Sequence, residues 1–173
     1  MNRFFRFGLL GLLVLLSGCA EFEDTMYDLR GLPPGKVAIV IDLADQHAYL
    51  CAGREVVLTA PVSTGREGHD TAPGKYAVIQ KDIGHRSSIY GAYLQDGYIV
   101  KRDVDVRKDP RPAGATFIGA PMPYFLRIYG GVGMHAGYLP GYPASHGCIR
   151  MPEPKARRFF EVAKVGTPVI VKK

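Results

Sequence analysis

From Val37 onward the chain is a series of short β-type runs cut at close intervals by turn residues. Val-Ala-Ile-Val-Ile-Asp-Leu (37–43) reads as a strand, Ala-Asp-Gln as a turn, and His-Ala-Tyr-Leu-Cys (47–51) as a second strand. Ala-Gly-Arg turns the chain again before a third run from Glu55 to Gly65. Pro61 lies in that run. Proline has no amide hydrogen to give to a ladder, which argues for an edge position or a bulge. A loop from Ser63 to Gly74 follows, then the strand Lys-Tyr-Ala-Val-Ile-Gln (75–80). Strands spaced this closely favour antiparallel meanders closed into a sandwich or barrel. The 21 glycines and 13 prolines agree, since they favour turns over long helices.

The rest of the chain varies this pattern. Lys81 to Pro123 carries a charged, proline-rich run and is predicted to be an irregular insertion, a lid or binding loop. Met-Pro-Tyr-Phe-Leu-Arg-Ile-Tyr (122–129) reads as a strand. Gly130 to Met134 is a glycine-rich approach to His135, where backbone can come close to a ligand. Met-Pro-Glu-Pro (151–154) opens a helix, with proline tolerated in its first turn. Ala156, Phe159, Phe160 and Ala163 share one helical face, Gly166 is expected to end the helix, and Pro168 lies beyond it. A short strand closes the chain. No internal repeat interrupts this order. The fold class is therefore mostly β, a sandwich or barrel with a lid insertion and one short C-terminal helix.

The chain begins with a different kind of segment. Arg3 and Arg6 precede an apolar run from Phe7 to Leu16. That run falls short of the about 20 apolar residues that a spanning helix needs. Leu16-Ser17-Gly18-Cys19 has the form of a bacterial lipobox. Residues 1–18 are accordingly predicted to be a signal peptide, Cys19 a lipidation site, and 19–36 a polar, proline-containing tether to a domain at 37–173. Acyl chains on Cys19 would make a membrane the first partner. Ala20 stands where an aspartate would favour retention in the inner membrane, so the expected location is periplasmic, on the outer membrane. The roughly 150 residues beyond the signal suffice for one domain with its own core. Net charge is +6, of which two charges belong to the signal segment, and the rest form no basic block. Nucleic acid is thus not an expected partner, while an anionic substrate fits. A monomer is expected.

Three cysteines divide by context. Cys19 is the lipid site. Cys51 sits in an apolar strand pattern and reads as a small buried thiol. Cys148 stands in Ser-His-Gly-Cys (145–148), a short turn-rich loop after His135. A cysteine beside glycine with histidines near enough to take its proton is the minimum equipment for a sulfur nucleophile. A disulfide to Cys51 would consume it, and none is expected. Gly147 leaves the backbone beside the thiol unobstructed, so the Gly147 and Cys148 amides are candidates for an oxyanion hole, with Ser145 in the same turn. Two histidines compete as base. His146 is two residues from Cys148 and awkwardly placed. His135 is brought in by the loop 136–144 and is preferred, with His146 in support. Arg150, two residues past the cysteine, is a candidate for gripping a substrate carboxylate, or else a structural ion pair. Tyr138 and Tyr142 flank the loop, and Tyr90 and Tyr93 lie in the insertion, as candidate groove walls or as packing. His47, His69 and His85 read as surface or hydrogen-bonded residues. His135, His146 and Cys148 match no familiar zinc spacing, so no metal is expected, and no cofactor.

Ser-His-Gly-Cys-Ile-Arg-Met with the upstream Gly-Met-His-Ala resembles the signature of L,D-transpeptidases of the YkuD type. The likeness continues through Ile-Asp-Leu-Ala-Asp-Gln-His-Ala-Tyr-Leu (41–50), Pro-Val-Ser-Thr-Gly (61–65) and Thr-Ala-Pro-Gly-Lys-Tyr (71–76), from Val37 to about Lys173. The resemblance implies a catalytic β-sandwich with the cysteine in a groove beneath a lid. It implies Cys148 as nucleophile, His135 as base, and amides around 146–148 as oxyanion hole. The implied substrate is a peptidoglycan stem tetrapeptide, cut through a thioester and joined to an amine. Water as acceptor would make a carboxypeptidase or amidase instead. A non-catalytic wall-binding lipoprotein is the alternative of another class.

Overall fold

The computed structural model describes residues 36–173. The expected signal segment, Cys19 and the tether through residue 35 lie outside the described residues. Strands β1 (Val37–Asp42), β2 (His47–Ala52) and β3 (Glu55–Pro61) form an antiparallel meander. The β1–β2 turn closes because Asp42 Oδ1 accepts the amides of Ala44 and Asp45, both at 3.0 Å. Pro61 ends β3, which is an edge strand, as its missing amide hydrogen requires.

The closing strand β12 (Pro168–Lys172) lies parallel to β1, and β4 (Gly74–Ala77) pairs on its far side. This gives a five-stranded sheet in the order β3-β2-β1-β12-β4. A second sheet holds β5 (Gln80–Asp82), β9 (Phe125–Tyr129), β10 (Val132–Ala136) and β11 (Ile149–Met151) in the order β11-β10-β9-β5. Its β10–β11 pair is also parallel. The purely antiparallel meander expected from close strand spacing is therefore corrected at two places, both between strands joined by long connections.

The core fills the space between these sheets. Ile39, Ile41 and Leu50 come from one layer, Leu126, Met134, Ile149 and Met151 from the other, all 0–1% exposed. Helix α1 (Glu153–Val162) adds Ala156 and the fully buried Phe159. Replacing Phe159 with alanine should cost about 3–5 kcal/mol of stability through the cavity it leaves, read from urea midpoints at unchanged slope. The helix stops at Val162, before the expected Gly166. Ala163 is already extended, and Lys81 Nζ donates to the carbonyls of Phe160 and Ala163, placing a cation at the helix's negative end. Gly166 instead makes the next turn, at φ +89°.

The insertion is the main correction. Lys81 to Pro123 is regular for much of its length. Strands β6 (Arg86–Gln95), β7 (Tyr98–Asp105) and β8 (Thr116–Pro121) form an antiparallel sheet in the order β7-β6-β8. Its small core is Tyr93, Val104 and Ala115, with Phe117 packed on it. The first six residues of β7 are exposed, so the strand shows no apolar alternation in sequence.

Candidate active site

The segment that carries Cys148 is held by hydrogen bonds from the far end of the chain. Gln46, at φ +52° in the first turn, exchanges two bonds with Thr64 through its side chain. The Thr64 carbonyl then accepts the amides of Ala144 and Ser145. Ser63 and Arg150 exchange backbone bonds at 2.9 and 3.0 Å. Thr71 Oγ1 accepts from the Gly65 amide and donates to the Gly147 carbonyl. A Cβ on Gly65 would stand 2.0 Å from the His69 carbonyl, so only glycine allows this crossing. The Val-Ser-Thr-Gly run, read in sequence as the end of a strand, is thus the clamp on the Cys148 loop.

Within that loop Ser145 is 1% exposed and its hydroxyl is spent locally. It donates to the Cys148 carbonyl and accepts the Gly147 amide. The expectation that the Gly147 amide faces an oxyanion is therefore corrected: that hydrogen is already given to Ser145. The amides of His146 and Cys148 have no acceptor among the described residues. Gly147 itself is needed for its φ of +111°, which other residues resist.

Cys148 and His135 line one groove of about 550 Å³. His135 is 7% exposed, and its Nδ1–H donates to the Ala136 carbonyl at 2.8 Å. The proton on Nδ1 leaves Nε2 as a lone pair. Among the described residues no fully buried side-chain nitrogen or oxygen lacks a partner, so this unpartnered Nε2 keeps some exposure, and His135 lines the groove. Burial lowers the His135 pKa to about 4, with the charge of Arg150 adding to the effect. Burial also raises the Cys148 thiol, against the Gly133 amide and the charges of Arg150 and Arg127. At rest the groove thus holds a neutral thiol, which donates to the Gly131 carbonyl at 3.7 Å, and a neutral imidazole. Both Cys148 and the buried Cys51 are free thiols, and Cys51 is pushed up to about 11 by burial.

His146 sits differently. It is exposed, and Arg66 donates to its Nε2 at 2.8 Å. A guanidinium can only donate, so Nε2 is occupied as an acceptor. The Tyr90 ring stacks on His146 at 4.0 Å and 26°, and His69 meets it edge-on. Partial burial, then the Arg66 charge, lowers its pKa to about 4. Arg66, His69 and Tyr90 were not singled out as its partners in sequence. Residues more than about 50 positions apart carry no local signal of contact.

Arg150 is half-buried, and its chain runs over Gly137. Its guanidinium makes no hydrogen bond or ion pair among the described residues, so the structural ion-pair reading is set aside. Arg86, Arg107 and Arg127 line the same groove, with no carboxylate among the lining residues. Tyr138 stands at the groove, largely exposed. Tyr142 does not line it. Its carbonyl takes the Ser63 hydroxyl bond and its ring faces outward. Tyr93 is in the core of the insertion sheet. His47 donates to the Asp45 carbonyl, as a hydrogen-bonded surface residue.

The model of the L,D-transpeptidase catalytic domain, YkuD, matches residues 36–171. The chain belongs to this family. No curated protein matches it significantly. Among solved structures, an L,D-transpeptidase from Mycobacterium smegmatis is similar with TM-score 0.62 and 21% identity, over 80% of this chain and 59% of that one. One from Stackebrandtia nassauensis gives 0.62 and 17%, over 89% and 63%. One from Enterococcus faecium gives 0.56 and 22%, over 80% and 50%. Likeness at this identity concerns the fold, and the chain spans between half and two thirds of the length of these proteins.

Proposed function

We propose that the protein is a cysteine-dependent L,D-transpeptidase acting on peptidoglycan stem tetrapeptides. One observation carries the reading: an imidazole whose Nδ1–H is pinned to a carbonyl, which leaves Nε2 as the lone pair, lines the groove that holds the Cys148 thiol. Cys148 Sγ attacks the carbonyl between the third residue, a diamino acid, and the terminal D-amino acid. The thiol proton passes to His135 Nε2 as the C–S bond forms, so no resting thiolate is required. The oxygen's negative charge meets the amides of Cys148 and His146. Burial makes the resulting imidazolium a strong acid, which protonates the leaving amine. The C–N bond breaks and a thioester remains. An amine acceptor then takes the acyl group, giving a 3→3 cross-link or a protein attachment.

The arginine-rich wall suits a substrate carrying several carboxylates. Arg150, unpaired at the groove, is placed to take the terminal carboxylate by a two-pronged bond. One of the similar solved structures is a complex with imipenem, a reagent that acylates nucleophiles. The test is incubation of the protein with purified disaccharide-tetrapeptide and mass analysis. A cross-linked dimer lacking one terminal D-amino acid is expected. Tripeptide alone would make water the acceptor, and unchanged tetrapeptide would reject the reading.

A further inference from the structure

The acylation chemistry leaves a second imidazole in the groove unused. His85 lies among the groove-lining residues with Cys148 and His135. Its Nδ1–H donates to Asp82 Oδ2 at 3.0 Å, and its ring stacks on Phe125 at 4.2 Å and 16°. Phe125 is fully buried, so the ring rests on a rigid floor. The carboxylate fixes the tautomer: hydrogen on Nδ1, lone pair on Nε2. That Nε2 has no partner among the described residues and is not fully buried, and the ring lines the groove. A carboxylate-oriented imidazole with an open Nε2 is the arrangement a general base requires.

Proton counting shows what such a base is needed for. An acceptor amine arrives as an ammonium and ends as a singly protonated amide nitrogen. It must therefore lose two protons. The departing Cys148 sulfur takes back one, through His135. The other has no recipient in the acylation machinery. Water as acceptor needs no deprotonation before it enters.

We propose that His85, oriented by Asp82, is the acceptor-side base. This rests on the reading of Cys148 as the acylated residue. The acceptor ammonium gives one proton to His85 Nε2, and the freed amine attacks the thioester carbonyl. The C–N bond forms, the C–S bond breaks, and the second amine proton passes through His135 to the sulfur. His85 then releases its proton to solvent. The charged and titratable groups around His85 are Asp82, His135, which lines the same groove, Arg86 next in the chain, and Arg127, whose guanidinium lies over the same Phe125 ring.

The test separates the two halves of the reaction. His85→Gln and Asp82→Asn proteins are given disaccharide-tetrapeptide, and the thioester is read by intact mass without acceptor. Transfer to D-methionine is then followed at neutral pH and above the acceptor ammonium's own pKa. Thioester formation should stay within about twofold of wild type, while neutral-pH transfer falls by on the order of 10- to 100-fold in His85→Gln. The deficit should close at the higher pH, where the amine arrives already neutral. Asp82→Asn, which keeps the ring, should lose less in the same direction, and it carries the test should His85→Gln not fold. Equal transfer at neutral pH, a deficit that persists at high pH, or a lost thioester in the variants would overturn the assignment. A wild-type protein that forms no thioester would instead overturn the Cys148 reading beneath it.

Discussion

Cys148→Ala should bring acyl transfer on stem tetrapeptides down to background, a loss on the order of a millionfold. Among the described residues the one other thiol, Cys51, is buried away from the groove and pushed up to about 11. The fold should be undisturbed, because the loop is held through backbone and through Ser145, not through the thiol. Cys148→Ser should be nearly as inactive, since a hydroxyl ionises far less readily than a thiol. Imipenem gives an independent readout. One covalent adduct on Cys148 is expected in the wild type and none in Cys148→Ala, by intact mass and peptide mapping. An adduct that survives the alanine substitution, or retained turnover, would remove the nucleophile from Cys148.

The parts of this fold that were legible from sequence are those whose information is local. Strands β1 to β3, the edge position of Pro61 and the start of α1 follow from residue patterns a few positions long. Cys148, His135 and Arg150 share the groove, as their spacing suggested, because β10 and β11 run side by side with His135 opposite Arg150. What was not legible depends on distant contacts. The sheet β7-β6-β8 was hidden because the first six residues of β7 are all exposed. The other two strands, β6 and β8, approach so closely that a Cβ on Gly91 would lie 2.1 Å from the Ile118 carbonyl. Glycine there reads as loop in sequence, yet it is what lets the strands close. The Gly147 amide was misassigned because its neighbour Ser145 turns back on it, which the string Ser-His-Gly-Cys does not reveal. His85 read as a surface or hydrogen-bonded histidine, and it is hydrogen-bonded, to Asp82; that it also lines the groove depends on distant contacts.

His135→Ala should slow thioester formation by on the order of 100- to 10,000-fold, the usual worth of a positioned acid–base group. The pH dependence identifies the group. Burial holds the His135 pKa at about 4, so its basic form persists well below neutrality. Wild-type acylation should therefore hold from neutral pH to about pH 5 and fall only as pH approaches 4. An acid limb near the ordinary histidine value would mean that the working base is solvated, and hence not this one. Stability gives a second reading of the same shift. The folded pKa lies below the unfolded value of 6.5, so the unfolded chain takes up the proton first. His135's contribution is thus present above 6.5 and lost as pH falls toward about 4, worth about 3 kcal/mol across that window. His135→Gln cannot titrate, so its stability should decline less between those pH values than the wild type's. His146→Ala offers the contrast. Its Nε2 is already engaged by Arg66, so thiol alkylation at neutral pH should change little, while loss of the ring beneath Tyr90 lowers turnover modestly. Slower alkylation in His146→Ala, with an unchanged profile in His135→Ala, would exchange the two roles.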